Sequence, residues 1–156
     1  MTAIRSLRAV LLDDHGRIET FLDSILNLLA RNELAVIEQE WAPFEDVVLA
    51  HLDGEEMHVI PTFAKADPEG ARRILAEHAR IREGLSRLGV AFELRRVRPN
   101  DVQDLARLLV DHAMTEESYL YNWSETHIQR EASSRLVRRI ASTWHPFGDR
   151  RRTRRR

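Results

Sequence analysis

The stretch His51-Leu52-Asp53-Gly54-Glu55-Glu56 constrains the chain most, because it is written twice. It returns as His112-Ala113-Met114-Thr115-Glu116-Glu117, again with a Glu four residues after a His and a second Glu following. On a helix, residues four apart stack on one face with Cβ atoms roughly 5–6 Å apart. Each copy can therefore aim one imidazole and one carboxylate at a single point. A chain that does this twice must form two helices that face each other.

The flanking pattern supplies those helices. From about Ala3 to Ala30, Leu7, Leu11, His15, Ile18, Leu22, Ile25 and Leu29 recur at threes and fours, which predicts an amphipathic helix. Asn32 reads as the N-cap of a second helix carrying Val36, Ile37, Trp41, Phe44, Val48, His51 and Glu55 on one side. Pro43 should kink that helix or split it near Trp41, and Pro61 should end it. Residues 65–70 read as a surface loop. A third helix is expected from Pro68 to about Leu88, with Ile74, Leu75, His78, Ile81, Leu85 and Leu88 inward and Gly89 as its stop. The segment up to Arg98 reads as a loop or a short helical extension.

Pro99-Asn100-Asp101 opens a fourth helix through Leu105, Leu108, Leu109, His112, Glu116, Tyr119, Leu120 and Trp123. A short fifth helix, roughly Glu131 to Thr143, should set Leu136, Val137 and Ile140 against the others. The expectation is an all-α protein: an up-down-up-down four-helix bundle with a short C-terminal fifth helix and a disordered Arg-rich tail. Residues 1–145 would form the bundle and 146–156 the tail.

Composition narrows the class. With 156 residues, 43% hydrophobic and 31% charged, the chain suits one soluble globular domain. It has no cysteine, which excludes thiolate metal sites and disulfides and fits a reducing, cytoplasmic setting. No apolar run is long enough for a membrane span, and the N-terminus lacks a signal-peptide pattern. The net charge of −1 conceals a tail: six of the last seven residues are Arg, so the rest carries −7. An acidic body offers no supporting basic face, so nucleic acid is not expected as a partner.

His15, His51, His78 and His112 each fall near mid-helix on an apolar stripe, one per helix. A lone His on such a stripe is ordinarily a satisfied core residue. Four at one level, two of them paired with a Glu at i+4, are different. Buried carboxylates are costly unless paired or coordinating a metal. Imidazole with carboxylate suits Fe, Zn, Mn or Cu, and carboxylates able to bridge favour two metals. Asp13 and Asp14 adjoin His15, but no Ser in a turn supports a nucleophilic triad. His127 and His145 lie beyond the level of these residues and read as surface positions. Trp41, Phe44, Tyr119, Tyr121 and Trp123 read as core aromatics, some able to cover the metals, and a nearby Tyr could donate a hydrogen bond or an electron.

These residues together resemble the hemerythrin-like (HHE cation-binding) domains. Asp14-His15-Gly16, Glu77-His78-Ala79-Arg80 and the doubled motif carry the resemblance, most closely through His51 to Pro61. It spans roughly residues 5–125. It implies a non-haem di-iron centre, two Fe ions with an oxo or hydroxo bridge, inside the bundle. His15 and His51 would serve one iron, His78 and His112 the other, and Glu55 and Glu116 would bridge them.

Two departures from the oxygen carriers matter. Those proteins place two His one turn apart on the third helix, where this chain has Ile74 and Arg82 four residues from His78. Their fourth helix uses an Asp five residues after its His, where this chain offers Glu116 at four and Glu117 at five. Four His in place of five leave an open position, favouring reaction with O₂, peroxide or NO in sensing or redox protection, including peroxide-decomposing or oxidase-like activity. The alternative is a reversible O₂- or iron-binding module without catalysis. Glu55-Glu56-Met57-His58 also spells one Glu-x-x-His, so His58 is a substitute-ligand candidate. A protein partner or homo-oligomer would be needed for any regulatory role.

Overall fold

The structure is a computed structural model and describes residues 6–129 and 132–138. Its helices are α1 (Leu7–Ala30), α2 (Leu34–His58), α3 (Ile60–Ala66), α4 (Pro68–Glu93), α5 (Pro99–Glu116) and α6 (Asn122–His127), with a π-helical turn, Glu117–Tyr121, between the last two. No strand occurs among the described residues. The four long helices α1, α2, α4 and α5 pack in a closed ring, each against the next, as expected of an up-down-up-down bundle. Residues 132–138 are again helical. Leu136 there is buried beside Leu7 and Leu11, and Ser133 Oγ accepts from Leu7 N–H at 3.2 Å. Ile140, His145 and the Arg-rich tail lie outside the described residues.

Local chemistry moves several boundaries from their expected places. Ser6 caps α1 by accepting from Ala9 N–H at 3.1 Å. Asn32 does not cap α2. It closes α1 at φ 58°, and the bonds Glu33 N–H to Leu28 O and Asn32 N–H to Leu29 O, each 3.0 Å, make a Schellman ending. α2 is not split at Pro43. The proline ring and Gln39, whose carbonyl it frees, both face solvent.

The expected loop at residues 65–70 is instead α3, Asp67 and the start of α4. Pro61 and Pro68 stand in first turns, where a missing N–H costs nothing, and Asp67 accepts from Gly70 N–H at 2.8 Å. A Cβ at Gly70 would lie 2.7 Å from Asp67 Oδ2 and 2.8 Å from Tyr119, so the cap needs glycine. Gly89 does not stop α4. The helix continues to Glu93 because Phe92 is buried, its ring 4.9 Å from Trp41. Leu75 and Val36, expected inward, are 40% exposed at the edges of their stripes.

Two apolar clusters fill the interior. One joins Ile18, Leu22, Phe44, Val48, Ile81, Leu85, Leu105 and Leu109; the other joins Leu7, Leu11, Phe63, Ile74, Leu120 and Tyr121. Along α1 the second cluster ends at Leu11 and the first begins at Ile18, with His15 between them. α4 repeats this with Ile74, His78 and Ile81, and α5 with the π-helical turn after it does so with Leu109, His112 and Leu120. A buried polar layer therefore crosses the bundle between two apolar slabs.

Candidate metal centre

The polar layer comprises His15, His51, Glu55, His78, His112 and Glu116, every one buried. The structure brings all six named sequence candidates to one place. They form two groups, His15-His51-Glu55-Glu116 and His78-His112-Glu55-Glu116, within each of which the donor atoms lie within 4.8 Å of one another. Glu55 and Glu116 belong to both. The imidazoles pair as expected, His15 with His51 and His78 with His112, each pair with ring centroids 4.8 Å apart.

A second tier of carboxylates orients these rings. Glu117 Oε1 is 2.9 Å from His15 Nδ1, Glu56 Oε1 is 2.9 Å from His78 Nδ1, and Glu77 Oε2 is 2.9 Å from His112 Nδ1. Asp14 Oδ2 faces His51 Nδ1 at 3.8 Å, beyond hydrogen-bond range. Each carboxylate adjoins an inner residue in sequence and serves the ring of the next helix. Asp14 of α1 faces α2, Glu56 of α2 holds α4, Glu77 of α4 holds α5, and Glu117 after α5 holds α1. Three of these four steps are hydrogen bonds; the fourth, Asp14 to His51, is a close approach of charge at 3.8 Å.

This relay fixes the chemistry of the interior. An ionised carboxylate can only accept, so an Nδ1 bonded to one carries the hydrogen, and in a neutral ring Nε2 then turns a lone pair inward. The inward atoms crowd together: His15 Nε2 is 3.1 Å from His51 Nε2, and Glu116 stands 3.1 Å from His78 Nε2 and 3.2 Å from His112 Nε2. Glu55 Oε2 and His112 Nε2 are buried without a hydrogen-bond partner. Converging lone pairs and carboxylates need positive charge among them. A divalent cation at each group meets that need, and the donor set fits it.

Without a metal, protons must serve. Burial alone would lower the His78 pKa, but Glu116 and Glu55 outweigh it and push it up to about 10. Burial likewise opposes charge on His51 and His112, and the neighbouring carboxylates again raise both, His51 strongly. Burial works against ionised Glu116, yet the His rings hold its carboxyl well below the usual range.

Tyr121 also enters the layer. Its fully buried hydroxyl donates to Glu55 Oε1 at 2.7 Å and lies 2.8 Å from His15 Nε2 and 3.3 Å from Glu116 Oε2. Burial and the charges of Glu55 and Glu116 keep this phenol protonated far above its ordinary pKa. The sequence places Tyr121 among core aromatics without singling it out. An unbroken α-helix would turn residues 116 and 121 about 140° apart. The π-helical turn, with its wider i→i+5 winding, reduces that offset. The same shift carries Tyr119 outward, 43% exposed, and buries Leu120, Tyr121 and Ser124 instead.

The other candidates lie elsewhere. His58 is half-buried and falls in neither group. Glu117, partly exposed, is spent on His15 Nδ1. His127 is exposed, stacked on Trp123 at 5.6 Å. Ile74 is buried in the apolar slab, and Arg82 bonds outward to Asp53 at 2.7 Å and Glu56 at 3.1 Å, so neither adds a donor beside His78.

A cleft of about 220 Å³ between α1 and α5 leads to the layer. Ile18, Leu22, Leu109 and Val110 help form its apolar walls, and His15, His51, His112, Glu19 and Glu117 also line it.

Fold and site together define a four-helix bundle built to hold metal ions in its core. A family model for the hemerythrin HHE cation-binding domain matches residues 6–133, and the chain belongs to that family. No curated protein and no solved structure gives a significant match. No helix among the described residues is long and apolar enough to cross a membrane.

Proposed function

We propose that this chain is a non-haem di-iron protein that reacts with small oxidants, hydrogen peroxide or O₂, in redox protection or sensing. The observation that carries the reading is the shared use of Glu55 and Glu116 by two His-pair groups, three of whose rings, His15, His51 and His112, line a cleft. His15 and His51 would hold one iron, His78 and His112 the other, with both glutamates bridging. An iron pair there supplies electron transfer and Lewis acidity toward a bound oxidant.

The chain's own residues supply the rest. The outer carboxylates keep Nε2 of His15, His78 and His112 pointed inward. Ile74 and Arg82 leave the His78–His112 group with two rings and two shared carboxylates, fewer donors than iron accepts. An exogenous molecule can complete that set. The apolar cleft walls favour a small uncharged oxidant over ions, and the buried Tyr121 hydroxyl holds a proton 2.7 Å from Glu55. The alternative of reversible carriage is less favoured, because an under-filled position exposes iron to oxidation.

The test is metal analysis with optical spectra of purified protein, anaerobic and aerobic, followed by peroxide turnover. Iron at one ion per group and consumption of peroxide are expected. Zinc in both groups, or a long-lived reversible oxygenated form without peroxide consumption, rejects the proposal.

A further inference from the structure

We propose that the Tyr121 hydroxyl oxygen is a seventh protein donor to the metal pair, bound on the His15–His51 side. The inference rests on the iron reading above and adds a ligand to it.

Donor atoms about 2.1 Å from one ion and at right angles to each other stand about 3 Å apart. The inner atoms of the first group show this spacing: His15 Nε2 is 3.1 Å from His51 Nε2 and 3.3 Å from Glu116 Oε2. Tyr121 Oη continues the figure, at 2.8 Å from His15 Nε2, 2.7 Å from Glu55 Oε1 and 3.3 Å from Glu116 Oε2. It therefore touches three of the four residues of that group with the edge lengths of a shared coordination shell.

The backbone is shaped to place it there. The π-helical turn is the one departure from α geometry in this stretch, and its effect is to put Tyr121 on the face of Glu116. Such turns cost regular hydrogen bonding and are frequent at functional sites. The ring is fixed in the apolar slab with Leu7, Leu11 and Ile74, and its centroid lies 5.1 Å from that of His15. A phenol held this rigidly loses little entropy on binding a metal.

Ligation is a proton-for-metal exchange. The O–H bond breaks, a metal–oxygen bond forms with the same electron pair, and the proton leaves to solvent without any change of oxidation state. A cation in the layer reverses the local electrostatics that otherwise keep this phenol protonated. Phenolate is a hard, anionic oxygen donor and favours ferric over ferrous iron. Tyr121 would thus hold the His15–His51 iron oxidised and direct exogenous molecules to the other.

The chain has only two tyrosines, which makes the test clean. The full chain is loaded with ferrous iron, oxidised, and measured for iron content, visible absorption and resonance Raman scattering, with and without ring-deuterated tyrosine. A phenolate-to-iron charge-transfer band is expected, with enhanced ring vibrations that shift on deuteration. Both should persist in Tyr119→Phe, whose side chain is exposed, and vanish in Tyr121→Phe. Persistence in Y119F assigns the signal to Tyr121 even if Y121F does not fold. Iron-loaded wild type without deuterium-sensitive phenolate vibrations, or a Y121F spectrum identical to wild type, overturns the inference and leaves the di-iron reading intact. A chain that takes up no iron overturns both.

Discussion

His78 and Arg82, one turn apart on α4, share a single carboxylate: Glu56 Oε1 accepts from His78 Nδ1 at 2.9 Å and from Arg82 at 3.1 Å. Arg82 also bonds Asp53 at 2.7 Å, so α2 and α4 are latched together just outside the polar layer. Burial would raise the Glu56 pKa, but His78 and Arg82 pull it below the usual range, and the residue stays ionised. Such outer carboxylates typically tune metal affinity by about 10–100-fold. Glu56→Ala should weaken metal binding by about that factor, and Glu56→Gln, whose carbonyl still accepts, by less. Chelator competition measures both. Glu69→Ala, which removes an exposed first-turn carboxylate paired with Arg72 far from the layer, is the control and should leave metal affinity unchanged.

Removing an inner ring should do more. His112 is the i+4 partner of Glu116, 3.2 Å away, and both are buried. His112→Ala leaves the second group one donor short, and elemental analysis should find metal reduced by at least one ion. The metal-free variant should also be less stable by about 3–5 kcal/mol, since breaking a buried charge pair strands its partner. Unfolding in urea, with the metal removed from both proteins, checks the second part. Unchanged metal content would remove His112 from the ligand set.

The four His were legible because each lies on a 3.6-residue apolar stripe, flanked by Leu11 and Ile18, or by Ile74 and Ile81. Periodicity could place them at one level without any knowledge of the turns. The outer carboxylates were also present in the sequence as neighbours, in Asp14-His15, Glu55-Glu56, Glu77-His78 and Glu116-Glu117. Adjacent positions on a helix face different ways, so the carboxylate outside the inner layer, the first member in Asp14-His15 and Glu77-His78 and the second in Glu55-Glu56 and Glu116-Glu117, points at the next helix. Tyr121 was not legible as a site residue. Its place depends on one π turn, whose added residue shifts every later face, and period counting assumes no such shift. The boundary at Gly89 failed for a related reason: Phe92 packing on Trp41 outweighs a glycine's helix cost of about 1 kcal/mol.

Acid and base should act oppositely on the metal-free and metal-loaded protein. In the metal-free chain His78 has a pKa of about 10 against 6.5 ordinarily, and His51 and His112 shift the same way. The folded state then binds more protons than the unfolded state, so this stabilisation is complete below about 6.5 and is lost as pH rises toward about 10. Metal needs the rings neutral, so its affinity rises over the same range. Urea midpoints should therefore fall with pH for metal-free protein, while chelator competition shows metal binding tightening. A metal-free protein that gains stability over this range would contradict the assignment of charge to the layer.

The cleft gives a prediction separable from metal binding. Val110 lines it, is 49% exposed, and touches no inner residue by hydrogen bond or charge. Val110→Trp should partly fill the cleft, leaving metal content and helicity as in wild type. Peroxide consumption should slow by about tenfold, equivalent to about 1.4 kcal/mol of added barrier. Stopped-flow mixing with peroxide measures it, and an unchanged rate would mean that oxidant arrives by another path.

A ring supplied from α4 should fill the position beside His78. Ile74 is one turn before His78 on the same face of α4 and is 1% exposed. Arg82, one turn after, is engaged with Asp53 and Glu56, so replacing it would break the latch on His78. Ile74→His is therefore the variant to make. Without metal it buries a polar ring in the slab of Phe63, Leu120 and Tyr121, and should cost about 1–3 kcal/mol of stability. With iron bound, the new ring has a partner and much of that loss should return, which the difference in melting temperature between loaded and metal-free protein reads directly. Filling the position should also prolong the oxygenated optical band after reduced protein meets air. If loaded I74H remains as destabilised as the metal-free form and its band decays at the wild-type rate, position 74 does not face the second iron.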